Sequence, residues 1–138
     1  MKLIEKKVVM DENEIEQTLK RLAHEIIEKL HGIENLVLVG IQTRGVYLAK
    51  RLSEQLKKIT KKTVPLGVLD ITLYRDDVNS IAHHPIVKET ELPFDITDKN
   101  VVLVDDVLFT GRTVRAAIDE LIDFGRPKTM KLVVLIDR

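Results

Sequence analysis

The run Val101-Val102-Leu103-Val104-Asp105-Asp106-Val107-Leu108-Phe109-Thr110-Gly111-Arg112-Thr113 passes from four apolar residues through two carboxylates to a hydroxyl-rich turn. Its end reads as the start of a helix, where free backbone N–H groups and the helix dipole favour a phosphate. Gly111 lets the backbone come close, and the hydroxyls of Thr110 and Thr113 add donors. The two carboxylates cannot face that phosphate without repulsion. They suit sugar hydroxyls beside it, or a metal. A phosphate cradle next to a diol acceptor is a site for a ribose 5-phosphate. No Lys follows Gly111, so this is not a P-loop, and no G-x-G-x-x-G occurs. Either half alone is an ordinary strand end or helix cap; the conjunction is specific.

A second turn, Val39-Gly40-Ile41-Gln42-Thr43-Arg44-Gly45, also follows an apolar run. Arg44 there offers a planar, bidentate grip on phosphate oxygens. A third stretch, Asp70-Ile71-Thr72-Leu73-Tyr74-Arg75-Asp76-Asp77, reads on its own as a strand end with solvated charges. Other candidates are weaker. His83 and His84 are adjacent, so in a strand they point to opposite faces and make a poor ligand pair. His24 beside Lys20 and Arg21, and the run of Lys57, Lys58, Lys61 and Lys62, read as solvated surface.

The positioning elements follow from periodicity. Asp11 with Glu14 resembles a capping box, and Ile15, Leu19, Leu22, Ile26, Ile27 and Leu30 behind it recur at helical spacing. His31-Gly32 ends that helix, with Gly32 expected as the left-handed cap. Leu36–Val39 is a continuous apolar run of the kind buried on both faces of a parallel sheet. A turn over 40–45 and a helix over 47–58 come next. A strand is expected over 64–73, then a long polar arm over 75–93. Strand 101–104, a turn over 105–113, a helix over 114–122 stopped by Gly125-Arg126-Pro127, and strand 132–136 complete the chain. This alternation predicts an α/β fold with a parallel sheet, whose ligands bind beyond the carboxyl ends of the strands.

Composition narrows the partners. The 138 residues suit one domain, spanning 1–138, and 44% are hydrophobic and 32% charged. With 22 Lys plus Arg against 22 Asp plus Glu, no bulk positive charge is available to grip nucleic acid. Cysteine is absent, which excludes disulfides, thiolate metal sites and cysteine nucleophiles. No apolar run has the length of a signal peptide core or a membrane span, so a cytoplasmic protein without a membrane partner is expected.

The first two stretches resemble the phosphoribosyl pyrophosphate signature and the pyrophosphate-binding loop of type I phosphoribosyltransferases. Asp70–Asp77 followed by an arm narrows the resemblance to the pyrimidine operon regulator branch, whose members also act as uracil phosphoribosyltransferases. Arg21-Leu22-Ala23-His24-Glu25, Gly45-Val46-Tyr47-Leu48-Ala49, Asp95-Ile96-Thr97-Asp98, Gly125-Arg126-Pro127 and Leu135-Ile136-Asp137-Arg138 agree with it, so it covers essentially the whole chain. The resemblance implies a parallel-sheet core with flanking helices and a flexible arm. It implies transfer of a phosphoribosyl group to uracil, giving UMP and pyrophosphate, with Mg²⁺ accompanying phosphoribosyl pyrophosphate. Arg44, Asp105 and Asp106 are then the catalytic residues. Thr43, Gly45, Tyr74, Arg75, Asp76, Asp77, Val107, Leu108, Phe109, Thr110, Gly111, Arg112 and Thr113 bind substrate, and the arm closes over the site.

The same resemblance implies a UMP-responsive RNA-binding regulator of pyr leader attenuation, and a homodimer or homotetramer. Family members continue past the position of Arg138, through a segment that completes base recognition and the RNA-binding face. A shortened domain with an exposed sheet edge and lower stability is therefore expected. Two alternatives share the phosphate loops: an RNA-binding regulator or shortened, engineered core that binds nucleotide with negligible turnover, and a purine phosphoribosyltransferase.

Overall fold

The computed structural model describes residues 11–41, 44–70, 90–108 and 111–137, with backbone alone for 107–108, 111–114 and 135–137. Helix α1 spans Glu12–Leu30, strand β1 Leu36–Ile41, helix α2 Arg44–Thr60 and strand β2 Leu66–Leu69. Strand β3 spans Asn100–Leu108, helix α3 Gly111–Ile122 and strand β4 Thr129–Asp137. The strands form one parallel sheet in the order β2-β1-β3-β4.

Strand alternation sorts the core into two layers. On one face Leu36, Leu38, Val102 and Val104 pack with Leu48, Leu52 and Leu56 of α2 and Leu19, Ala23 and Ile26 of α1. On the other, Val37, Val39, Ile41, Val101 and Leu103 pack with Ala116, Ala117 and Leu121 of α3. Both faces of β1 and β3 are covered, which is why these strands read as continuous apolar runs. Each fully buried leucine or isoleucine contributes roughly 1.5–3 kcal/mol over an exposed one.

The capping box forms: Asp11 accepts from the Glu14 amide at 2.8 Å, and Glu14 accepts from the Asp11 amide at 3.0 Å. At the other end of α1 the left-handed cap is His31 (φ 55°), not Gly32 as expected. The Gly32 amide donates to the Ile27 carbonyl at 3.0 Å and the His31 amide to Glu28, closing a Schellman motif. Gly32 is needed one residue later, at φ 119°.

Helix α1 docks on α2 through a polar clamp that periodicity does not reveal. Arg51 donates to Glu12 at 2.9 Å, to Glu16 at 3.0 Å and to the Tyr47 hydroxyl at 3.1 Å, while buried Gln55 donates to Glu16 at 2.8 Å. Hydrogen bonds from Arg51, then Gln55, hold the Glu16 carboxyl below its ordinary value of 4.5. A depressed carboxylate contributes stability that is complete above its unfolded pKa and lost as pH falls through the lower folded value. Melting temperature is therefore expected to drop below about pH 4.5. Glu16→Gln should flatten that acid limb. Superimposable pH profiles for the two proteins would remove Glu16 as its cause.

Three boundaries differ from the sequence expectations in ways that bear on function. Strand β3 does not stop at Val104. It runs through Asp105 and Asp106 because β4 accompanies it, pairing Asp105 with Val134 and Leu108 with Asp137. The expected turn over 105–113 is thus corrected at both ends, with β3 running to Leu108 and α3 beginning at Gly111, while 109–110 lie outside the described residues. Helix α2 begins at Arg44 rather than 47, so Arg44 and Gly45 belong to its first turn. The arm's return is also earlier than expected, since Glu91 bridges antiparallel to Val68.

Candidate active site at the strand ends

The connection after β1 carries the chain along one face of the sheet, through α2, towards β2. The connection after β3 carries it along the other face, through α3, to β4 on the opposite side. The strand order therefore reverses between β1 and β3, and in parallel α/β sheets the crevice beyond the carboxyl ends of such a pair is where ligands bind. Strand β3 pairs with β1 only as far as Gly40 with Val104, then projects past it by Asp105–Leu108.

Two glycines seat α2 against that projection. A Cβ on Gly45 would lie 2.1 Å from the Val104 carbonyl oxygen and 3.1 Å from the Asp105 Cα. A Cβ on Gly40 would lie 2.6 Å from the Val46 Cα. With hydrogen at both positions, the first turn of α2 rests directly on β1 and β3.

The consequence is the meeting of Arg44 with Asp106, at 3.8 Å from Nε to Oδ2. Asp106 shares the parity of Val102 and Val104 and faces α2; Asp105 shares that of Val101 and Leu103 and faces α3. The acidic pair therefore does not act as two side-by-side carboxylates. Asp105 is buried, and its Oδ1 accepts the Asp106 amide at 2.8 Å. The Asp106 side chain is 25% exposed and that of Arg44 74%. An ion pair this long and this exposed contributes about 0–1 kcal/mol, so both groups remain free to exchange each other for a ligand.

The helix ends add to this. Helix α1 carries Glu12 and Glu14 in its first turn, which neutralise its positive end. Helices α2 and α3 have no acidic residue in their first turns, and each begins within a few residues of a strand end at the crevice. The unneutralised N-terminus of α2, where Arg44 sits, makes an anion-favouring surface that Asp106 faces, and that of α3 follows the end of β3. The structure thus brings Arg44, Gly45, Asp105 and Asp106 together. It places the backbone of Val107, Leu108, Gly111, Arg112 and Thr113 along β3 and the start of α3. Thr43, Tyr74, Arg75, Asp76, Asp77, Phe109 and Thr110 lie outside the described residues, as do His83 and His84. Among the described residues no helix is long and apolar enough to cross a membrane.

A parallel sheet with a switch point, flanked by the arginine that opens α2 and an acidic strand end, defines the class as a phosphoribosyltransferase. The family described as "Phosphoribosyl transferase domain" matches residues 8–138. The fold is similar to a hypoxanthine phosphoribosyltransferase from Staphylococcus aureus, with TM-score 0.70 and 20% identity over 96% of this chain and 68% of that one. It is also similar to a purine phosphoribosyltransferase from Pyrococcus horikoshii, with TM-score 0.69 and 27% identity over 94% of this chain and 76% of that one. The "Bifunctional protein PyrR" of Acetivibrio thermocellus is 59% identical over 99% of this chain and 74% of its own length. That of Pelotomaculum thermopropionicum is 58% identical over 97% and 74%. The chain belongs to the bifunctional PyrR family of phosphoribosyltransferases.

Proposed function

We propose that this single domain transfers the phosphoribosyl group of phosphoribosyl pyrophosphate to uracil and also acts as a UMP-responsive RNA-binding regulator of pyrimidine operon attenuation. The observation that carries the first part is the seating of α2 on β3, which sets Arg44 opposite Asp106 across the switch-point crevice. In the reaction the bond from the anomeric carbon to pyrophosphate breaks, and a bond to uracil nitrogen forms with loss of the nitrogen's proton. Arg44, with the Thr43 and Gly45 backbone, holds the leaving pyrophosphate, where negative charge grows. Asp106, the less buried member of the pair, accepts from a ribose hydroxyl, and its charge favours the electron-poor sugar ring. Asp105 holds the Asp106 amide and so fixes where that carboxylate stands. The stretch Val107–Thr113 cradles the 5′-phosphate. Tyr74, Arg75, Asp76 and Asp77 cover the substrate from the arm, excluding water from the activated sugar.

Mg²⁺ fits this donor set as an ion carried by the substrate. Among the described residues no three His, Asp or Glu converge, so one or two carboxylates would join oxygens of the pyrophosphate, the diol and water. The ion supplies charge neutralisation on the leaving group.

The RNA-binding part rests on the family and on α1, where Lys20, Arg21 and His24 are all exposed. A cytoplasmic homodimer or homotetramer belongs to the same reading, and sedimentation would count the copies.

The chain should be incubated with phosphoribosyl pyrophosphate, Mg²⁺ and uracil, hypoxanthine or guanine, and the nucleotides separated. UMP as sole product is expected. A purine nucleotide would overturn the assignment of uracil. No nucleotide from any base would overturn the enzymatic half. The regulatory half would then be judged by salt-dependent, UMP-sensitive binding of leader RNA.

A further inference from the structure

Glu120 lies on α3 in the run Ile118-Asp119-Glu120-Leu121, which reads as ordinary helix surface, yet it is 0% exposed. Burying a carboxylate is costly unless it is hydrogen-bonded. Its Oε2 accepts from the Thr90 hydroxyl at 3.2 Å. The same hydroxyl oxygen accepts the Asp70 amide at 2.9 Å. Asp70 directly follows β2. Thr90 directly precedes Glu91, which exchanges two backbone hydrogen bonds of 2.8 Å with Val68. The chain leaving the sheet at 68–70 and the chain returning at 90–91 thus lie side by side, and the Thr90 hydroxyl joins them to α3.

We propose that Glu120 is a positioning residue for the phosphoribosyl transfer, tying both ends of the intervening segment to α3 through Thr90. A hydroxyl has one proton. Here it goes to Glu120, which turns the oxygen's lone pairs towards the Asp70 amide. An acceptor at position 120 therefore sets the polarity of the whole relay. The nine steps from Gly111 to Glu120 place this contact about 14 Å along α3 from its first residue. Glu120 thus acts through other groups rather than on substrate. The inference rests on the proposed function, because it matters to turnover only if the segment's Tyr74, Arg75, Asp76 and Asp77 meet the substrate.

The test uses the full chain with Glu120→Gln, which keeps an acceptor, Glu120→Leu, which removes it, and Thr90→Val, which removes the hydroxyl alone. Amide hydrogen exchange reads the relay at Asp70, with Val37, Leu38 and Val39 in β1 as internal references. Glu120→Leu and Thr90→Val should speed exchange at Asp70 at least tenfold and leave the β1 amides unchanged. They should also raise KM for phosphoribosyl pyrophosphate about tenfold, with kcat within threefold. Glu120→Gln should stay within twofold on every readout. Unchanged Asp70 exchange in Glu120→Leu would overturn the proposal. So would equal acceleration at Asp70 and β1, which marks loss of global stability instead. If the unsubstituted chain makes no nucleotide, the functional reading falls and the KM comparison with it, while exchange at Asp70 still decides whether the tie exists.

Discussion

Gly45→Ala is expected to lower kcat/KM at least a hundredfold and the melting temperature by roughly 10 °C. The added methyl would lie 2.1 Å from the Val104 carbonyl oxygen, far inside contact distance. Neither side can yield cheaply. Val104 is locked into the ladder between Gly40 of β1 and Val133 of β4, and Gly45 is part of a helical turn. Overpacking a site of this kind costs about 3 kcal/mol, which for a domain of this size is roughly 10 °C. The first turn of α2 must lift, and Arg44 lifts with it, away from Asp106. A displacement of about 1 Å of a positioning group can cost a hundredfold in rate. Gly67→Ala is the comparison. Its Cβ would meet the far ends of Leu92 and Phe94, at 2.6 and 3.0 Å, which can rotate aside, and the Glu91 carbonyl oxygen at 3.1 Å, which must give by only a few tenths of an ångström. Melting temperature should fall there too, by less, with activity kept within tenfold. Steady-state kinetics and thermal melts on both variants check this. Unaltered kcat/KM in Gly45→Ala would mean that the seating of α2 on β3 does not set the site.

The same glycine shows what the sequence holds in the open and what it hides. Strands β1 and β3 were legible because both faces of each are covered, so Leu36–Val39 and Val101–Val104 are apolar without a break. The ends of the elements were not. Two acids after an apolar run look like a strand leaving the sheet, and only β4 alongside explains why β3 continues through Asp105 and Asp106. Once the strand continues, the pair must split between the faces, which spacing alone cannot reveal. Gly45 reads as turn punctuation, whereas its role is close approach to a strand 59 positions later in the chain. Glu120 and Gln55 carry no signal of burial, because their partners come from Thr90 and Glu16, which are remote in sequence. Residues whose role depends on local periodicity were readable; those whose role depends on a distant backbone or hydroxyl were not.

Arg44→Gln separates chemistry from architecture more sharply than any change at the glycines. Turnover is expected to fall by about 10²–10³ in kcat, the range seen when one donor to a developing negative charge is removed. Melting temperature should hardly move. The Arg44 side chain is 74% exposed and its Nε meets Asp106 only at 3.8 Å, so the folded state gains little from it. In the proposed reaction it would offer positive charge and a planar fork to the departing pyrophosphate, an interaction that strengthens as the bond breaks. Arg44→Lys keeps the charge but loses the fork, and a smaller loss of about tenfold is expected. Asp106→Asn should also keep its melting temperature, because the Asp105 bond to the 106 amide is made by backbone and survives the change. Its rate should fall through the lost negative charge beside the sugar. If Arg44→Gln instead lost stability and kept kcat, the guanidinium would be a structural tether between α2 and β3. The leaving group would then have to be held by the helix N-termini alone.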